Sequence, residues 1–169
     1  GANRLWESVI FAVRGILLSD SDSIKYAISG IQDVVVITDS GDGFYKDGSF
    51  IQHDNIPYNC GYGRSLIQEL APMLYTFKDT EFEIKNTDII NTWVEKSYLP
   101  FIYNGRTMDM VRGREISRYY EQSDFACSRI LSAMLILTEL SEFDILRSVI
   151  KTHLTDSFFE YAVSYTHLT

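Results

Sequence analysis

The stretch that decides the fold is NRLWESVIFAVRGILLSDSDSIKYAISGIQDVVV, residues 3–36. Its first half places apolar side chains at helical spacing over residues 3–18, and its second half repeats that pattern over residues 22–36. Between them, the run SDSD at 19–22 supplies side chains that end one helix and cap the next. The stretch therefore predicts a helical hairpin in which each helix buries an apolar face.

The same alternation of helix and turn continues along the chain. We predict four further helices, over residues 62–76, 87–100, about 122–140 and about 141–154. Pro72 lies inside the first of these and is expected to kink it. Two segments, 37–61 and 101–118, lack helical periodicity, and Asn104-Gly105 in the second predicts a tight turn between short extended pieces. The predicted fold class is all-α, built of helical hairpins with two unusual loops.

Composition and charge limit the possible partners. The 169 residues are enough for one domain, and 46% hydrophobic against 22% charged residues is typical of a packed core. A net charge of −8 argues against nucleic acid and anionic membranes as partners. The most apolar stretch, residues 130–137, is too short for membrane insertion. Cys60 and Cys127 form no metal or disulfide pattern, so we expect two free thiols.

The segment SGDGFYKDGSFIQHDNIPYNCGYG, residues 40–63, combines turn-forming residues with aromatic and titratable ones. Glycine, aspartate and proline favour a loop, but a solvated loop has little use for so many rings. His53 and Tyr62 could form an acid/base pair, with Asn55 and Asn3 as polar neighbours. The alternative is structural: His53 bonds loop carbonyls and Tyr62 is a half-buried ring. For an isolated His and Tyr, the structural role is the commoner one.

The second loop concentrates positive charge in an acidic chain. Four of the nine arginines lie within 13 residues: Arg106, Arg112, Arg114 and Arg118. Guanidinium groups bind carboxylates and sulfates through paired hydrogen bonds. The alternative is a solvated run that pairs with Asp109 and Glu115. Because the run is broken by glycine and flanked by apolar residues, we favour partial burial, and buried arginines need partners.

Other candidate chemistry is less specific. A glycoside hydrolase needs two carboxylates placed across a sugar, and no spacing selects a pair among Asp42, Asp47, Asp54, Asp109 and Glu115. Seven aromatic side chains could stack on sugars, although core packing is their commoner role: Trp6, Phe44, Tyr45, Phe50, Tyr58, Tyr119 and Tyr120. The sequence contains no phosphate-binding loop, zinc motif or serine-hydrolase motif.

Three motifs, in order, resemble polysaccharide lyase family 8, which includes hyaluronate, chondroitin AC and xanthan lyases. They are GANR at 1–4, the 40–63 segment, and MDMVRGREISR at 108–118. The resemblance spans about residues 1–140 and implies an incomplete α/α toroid built of helical hairpins, with the family's β domains absent from this chain. It places residues 1–160 in part of a lyase catalytic domain. Residues 161–169 follow a helix without a stop signal and are interpreted as a non-native tail.

The resemblance also implies which residues are catalytic. Asn3 in GANR, His53 in FIQHDN and Tyr62 in GYG match the family's catalytic residues, and Arg114 and Arg118 match two arginines at its cleavage site. These residue types suit β-elimination beside a uronate carboxylate. Asn and His can neutralise the charge that develops on the carboxylate, while Tyr acts as base and then as acid. A mechanism with His as the base stays open.

Further expectations follow from the same resemblance. Arg112, Asn55 and Tyr58 are expected to bind substrate, an anionic polysaccharide of hyaluronan, chondroitin or xanthan type. We expect no cofactor or metal, a monomeric enzyme, and a secreted, periplasmic or cell-surface location, because such polymers lie outside the cell. This chain in isolation is expected to be weak or inactive. Two alternatives stay open: an α/α-toroid hydrolase using Asp54 and Asp109, and a non-catalytic glycan-binding module.

Overall fold

The first two helices form the predicted hairpin. A computed structural model describes residues 1–120 and 122–140, together with positions 146, 150 and 151. Helix α1 (Ala2–Leu18) and helix α2 (Ser21–Gln32) pack against each other. Ser19 ends α1 in the left-handed region, at φ 53°. The Asp20 carboxylate caps α2 by accepting hydrogen bonds from the N–H groups of Asp22 and Ser23, at 3.1 and 3.2 Å.

Two details of this hairpin differ from the prediction. Helix α2 ends at Gln32 rather than near residue 36, because the β-branched run that follows is a poor helix former. Val34 and Val35 are buried all the same, beyond the helix end. The apolar face of α1 is only partly covered, since Ile10 and Leu17 are 68% and 77% exposed.

The segment predicted as an irregular loop contains a small antiparallel sheet. Its strands are β1 (Gly43–Phe44), β2 (Phe50–Gln52) and β3 (Ile56–Pro57), in that order. Phe44 pairs with Phe50 across the first two strands, and both rings are buried. Phe44 also stacks on Trp93, with ring centroids 4.2 Å apart. The rings of this glycine-rich segment therefore anchor it to the core.

The rest of the chain alternates helices with short turns. A π-helical turn (Asn59–Gly63) leads into α3 (Arg64–Phe77), and α4 (Ile89–Trp93) continues as a π-helical turn (Val94–Tyr98) and a 3-10 turn (Leu99–Phe101). Next come β4 (Ile102–Tyr103), β5 (Arg106–Thr107), 3-10 turns at Asp109–Val111 and Gly113–Ser117, and α5 (Ser123–Leu137). The predicted turn is confirmed, since Asn104 and Gly105 have φ of 48° and 72°.

Helices α3 and α5 pack against each other and supply much of the core. Phe44 and Phe50 of the first sheet belong to the same cluster. The all-α prediction is confirmed, with two small sheets added to it. The sixth predicted helix lies outside the described residues, except that Leu146, Ile150 and Lys151 are helical. The proposed tail at 161–169 lies wholly outside them. Within the described part of the chain, no helix is long and apolar enough to cross a membrane.

Both cysteines are buried free thiols, as predicted. Burial raises the pKa of Cys60 and of Cys127 to about 12. Because the thiolate is the reacting form, we expect neither thiol to react with an aromatic disulfide reagent over minutes at about pH 8 in the native protein. Both should react in concentrated guanidinium chloride. Absorbance of the released aromatic thiol measures this, and rapid native labelling of either cysteine would contradict the buried placement.

Candidate active site

Tyr62 projects from an otherwise buried turn. It lies in the π-helical turn directly before α3, where it is partly exposed while the turn's other residues are buried. The Tyr98 hydroxyl donates a 2.6 Å hydrogen bond to the Gly63 carbonyl, and burial raises the pKa of Tyr98 well above its usual value, so this hydroxyl stays protonated. The buried Tyr98 hydroxyl therefore fixes the backbone of the turn, while the Tyr62 side chain is partly exposed. Single π-helical turns of this kind occur frequently at functional sites.

Asn59 ties the same turn to the sheet. Its side-chain oxygen accepts a hydrogen bond from the Phe50 N–H at 3.1 Å. Its amide nitrogen donates to the carbonyls of Gly48 and Ser97, at 2.8 and 3.1 Å. Asn59 is 1% exposed, so these bonds are made in a dry environment, where unsatisfied partners are costly. This side chain joins its own turn to the nearby residues 48–50 and to Ser97, 38 residues further along the chain.

Replacing Asn59 by alanine should destabilise the protein measurably. The Phe50 N–H and two carbonyls would each lose a buried partner, and we expect a loss of about 2 kcal/mol in the free energy of unfolding. Urea denaturation followed by circular dichroism measures it. Asn55→Ala is the matched control. Asn55 lies in the exposed turn that precedes Asn59, so its substitution should change the free energy of unfolding little. Equal losses in both variants would contradict the role given to Asn59.

His53 is presented by a tight turn between β2 and β3. His53 and Asp54 both have left-handed backbones, at φ 55° and 70°. The Asn55 N–H donates to the His53 carbonyl at 2.9 Å, and the Asp54 N–H donates to the Asp42 carboxylate at 3.4 Å. Left-handed conformations are uncommon for residues other than glycine and cluster at functional sites. His53 and Asn55 are both exposed at the tip of this turn.

Three rings surround Tyr62. The rings of His53 and Tyr58 meet it edge to face, with centroids 5.3 and 5.1 Å away. Trp6 of α1 lies 5.9 Å from it. Asn3 is exposed on α1, one helical turn before Trp6 and on the same face. The structure thus brings His53 and Tyr62 together as predicted and places Asn3 on the helix face that borders them.

Arg114 contacts the Tyr62 hydroxyl. Its Nη2 donates a hydrogen bond to Tyr62 Oη at 3.3 Å, and its backbone N–H donates to the Tyr58 hydroxyl at 3.0 Å. The Tyr58 ring lies between two glycines. A Cβ on Gly61 or on Gly113 would come within 2.3 or 2.4 Å of ring carbons. The close fit of Tyr58 between these glycines positions the turn that carries Arg114.

Two of the residues predicted to bind substrate, Tyr58 and Arg112, are buried in this structure. Tyr58 is 0% exposed and its hydroxyl bonds the Arg114 backbone. Arg112 is 1% exposed, and its guanidinium donates to the Asp109 carboxylate at 2.6 Å and to the Glu115 carbonyl at 3.4 Å. In this structure both side chains form hydrogen bonds within the loop, and their predicted contact with substrate stays a prediction. The third predicted residue, Asn55, is exposed beside His53.

The remaining arginines differ in their surroundings. Arg118 is half-buried, with Nη1 3.9 Å from the Glu115 carboxylate. Arg106 is exposed on β5. Asp109 pairs with Arg112 and Glu115 with Arg118, both arginines of this loop, as the alternative interpretation held, but Glu115 is buried. The loop is therefore partly buried. Arg114 is exposed at the site, where its guanidinium donates a hydrogen bond to the Tyr62 hydroxyl.

Three residues that shape the site were not among the predicted catalytic or substrate-binding residues: Trp6, Asn59 and Glu115. The spacing of Trp6 from Asn3 on a helix could have indicated that both lie on one face, and Trp6 is in ring contact with Tyr62. No sequence signal marks Asn59 or Glu115 as buried, since each lies in a polar, irregular stretch. Among the described residues, no cluster of three or more His, Cys, Asp or Glu side chains could hold a metal ion.

Comparison with known proteins places this geometry in a family. Residues 1–152 match the family described as polysaccharide lyase family 8, N terminal alpha-helical domain. The chain belongs to polysaccharide lyase family 8. A hyaluronate lyase of Thermasporomyces composti is a family relative, 37% identical over 141 residues that cover 82% of this chain. The resemblance seen in the three motifs is confirmed.

Solved structures of lyases share the fold. A Paenibacillus xanthan lyase superposes with a TM-score of 0.86 at 37% identity, over 94% of this chain. A Streptomyces coelicolor chondroitin AC lyase, solved with chondroitin sulphate, superposes with a TM-score of 0.80 at 30% identity, over 83% of this chain. The incomplete α/α toroid is therefore confirmed. The chain spans only 18% of the hyaluronate lyase, 16% of the xanthan lyase and 20% of the chondroitin AC lyase.

Proposed function

We propose that this family 8 chain carries the reacting residues of an enzyme that cleaves a uronic-acid-containing polysaccharide by β-elimination. The observation that carries the proposal is the contact between the Arg114 guanidinium and the Tyr62 hydroxyl, beside His53. The contact places a positive charge at the phenolic oxygen, which is where the proposed proton transfers would occur. The lyase relatives support the reaction class.

Tyr62 would act first as base and then as acid. The phenolate removes the proton at C5 of the uronate, and the C5–H electron pair forms the C4–C5 double bond. The bond from C4 to the glycosidic oxygen breaks with its electrons, and Tyr62 returns the proton to that oxygen. One tyrosine then serves both transfers, and the products are an unsaturated uronide end and a free hydroxyl.

The other site residues would stabilise the charge that develops next to the breaking C–H bond. Removing the C5 proton pushes negative charge onto the uronate carboxylate. Asn3 would donate an amide N–H to that carboxylate, and His53 would share this task. Arg118 would attract the anionic chain, and Asn55, exposed beside His53, would contact a neighbouring sugar. Their contribution is greatest in the transition state, as catalysis requires.

The hydrolase alternative has weaker support in the geometry. Of the two carboxylates considered for it, Asp109 is bonded to buried Arg112. Asp54 lies in the exposed turn beside His53. A pair acting across a sugar needs both carboxyl groups available on either side of one bond. We therefore propose the lyase reaction, in a monomeric, cofactor-independent enzyme acting outside the cell on an anionic polymer.

The test is to identify the product. The full-length gene product that contains this chain is incubated separately with hyaluronan, chondroitin and xanthan, and both ultraviolet absorbance and reducing ends are measured. We expect absorbance of an unsaturated uronide to rise in step with reducing ends for at least one polymer. Reducing ends without the absorbance would favour the hydrolase. Binding without either product would favour a glycan-binding module.

A further inference from the structure

A buried ion pair links the two segments that carry Tyr62 and Arg114. Arg64 Nη2 lies 3.5 Å from Glu115 Oε2, and the two side chains are 8% and 7% exposed. Arg64 is the first residue of α3 and follows Tyr62 by two positions. Glu115 follows Arg114 directly in the 3-10 turn Gly113–Ser117. A change in this pair would therefore be transmitted to both catalytic groups over one or two peptide units.

The side chains of the Arg114 turn contribute little apolar burial, although the backbone at Gly113 packs against the Tyr58 ring. Within this five-residue turn, which the structure describes completely, Glu115 is the one buried residue. Ile116, the turn's apolar residue, is 52% exposed. An exposed arginine side chain loses much rotamer freedom when it is held against one partner. The Arg114–Tyr62 hydrogen bond therefore depends on a backbone that is held in place by other contacts.

Arg64 provides a rigid partner for Glu115. Its Nη1 donates to Gln68 Oε1 at 3.5 Å, one turn further along α3. Its guanidinium carbon also lies 5.5 Å from the centre of the Phe125 ring on α5. A buried ion pair adds little net stability compared with apolar residues of the same volume, because both charges are desolvated. What it does supply is a defined geometry between the elements that it joins.

We propose that Arg64 and Glu115 are positioning residues that hold Arg114 against the Tyr62 hydroxyl. The pair does not touch the reacting atoms and acts through the Gly113–Ser117 turn. This positioning role rests on the function proposed above and adds to it the residues that hold Arg114 in place. It assigns a catalytic consequence to a buried carboxylate that lies outside the proposed reaction.

A double-mutant cycle tests this proposal in the full-length gene product. Glu115→Ala should lower kcat for formation of unsaturated product about tenfold while KM stays within about twofold. In an Arg114→Ala background, the same Glu115→Ala change should lower kcat by less than about twofold, because the group that it positions is already gone. Glu83→Ala is the matched control. It removes the carboxylate of the exposed Glu83–Lys85 pair, outside the Arg114 loop, and should leave kcat within about twofold.

Two kinetic outcomes and one structural outcome would overturn the proposal. An equal fold loss from Glu115→Ala in both backgrounds would mean a general structural role, and an unchanged kcat would mean no role. If Glu115→Ala fails to fold, the isosteric Glu115→Gln takes its place in the same cycle. A crystal structure of the variant tests the positioning role without an activity assay. It therefore gives an answer even if the full-length protein cleaves no polymer and the proposed function fails. We expect the 3.3 Å Arg114–Tyr62 contact to be lost, and an intact contact would refute the positioning role.

Discussion

Replacing Tyr62 by phenylalanine is expected to lower kcat about a thousandfold, with unsaturated product measured by ultraviolet absorbance. The change removes one oxygen atom and keeps the ring that packs against His53, Tyr58 and Trp6. The fold and the proposed substrate contacts should therefore survive, while the group proposed to remove and return a proton is lost. General acid–base groups contribute on the order of 10² to 10⁴ to a rate, and Tyr62 would act in both steps.

Tyr75→Phe is the matched control for this prediction. Tyr75 lies on α3, the helix that follows Tyr62, and is 56% exposed. Its substitution should leave kcat within about twofold. A Tyr62→Phe enzyme that keeps more than about a tenth of the activity would exclude Tyr62 as the base. His53→Ala would then become the decisive variant, since His53 is the other proton acceptor in contact with the site.

Gly113→Ala is expected to reduce both stability and activity. Gly113 has φ 54°, and a Cβ there would come within 2.4 Å of the buried Tyr58 ring. The ring cannot retreat freely, because Gly61 lies against its other edge. Left-handed strain and overpacking each cost on the order of 1 to 3 kcal/mol. We expect a loss of about 3 kcal/mol in the free energy of unfolding, together with a fall in kcat of at least about tenfold as Arg114 moves away from Tyr62.

Gly41→Ala is the control that separates backbone strain from overpacking against the Tyr58 ring. Gly41 also has a left-handed backbone, at φ 73°, but a Cβ there would meet nothing within 4 Å. This control should cost only about 1 kcal/mol in the free energy of unfolding and leave kcat unchanged. Urea denaturation and the absorbance assay measure both variants. If the two substitutions had equal effects on stability and activity, the contact between Gly113 and Tyr58 would not position Arg114.

Helix predictions succeeded where the signal was local. The hairpin of α1 and α2 is readable from apolar spacing and from Asp20, whose carboxylate caps α2. The same holds for the Asn104-Gly105 turn, whose residue types demand the observed backbone. The first sheet was missed because strands of two or three residues carry no measurable alternation. It forms because Phe44 packs on Trp93, which lies almost fifty residues away along the chain.

Site predictions also depended on whether the signal was local or lay in contacts between distant segments. His53, Tyr62 and Arg114 were identified through motifs, and the structure brings their side chains into contact. Tyr58 and Arg112 have the same residue types as ligand-binding groups, so residue identity alone could not separate them from their neighbours. Their burial separates them. Burial of a polar side chain depends on whether partners exist within the fold, and those partners are not visible in local sequence.

Spacing of apolar residues, caps and turn residues is enough to establish a chain of helical hairpins, because each of these effects acts within one or two turns of backbone. Ordered motifs are enough to indicate the lyase family. The site itself depends on contacts between distant segments: α1 supplies Trp6, the sheet turn supplies His53, and the 3-10 turn supplies Arg114. Ion pairs and ring contacts form only when the core has placed such segments together, so the tertiary structure alone decides which polar residues are exposed at the site and which are buried and hold it in place.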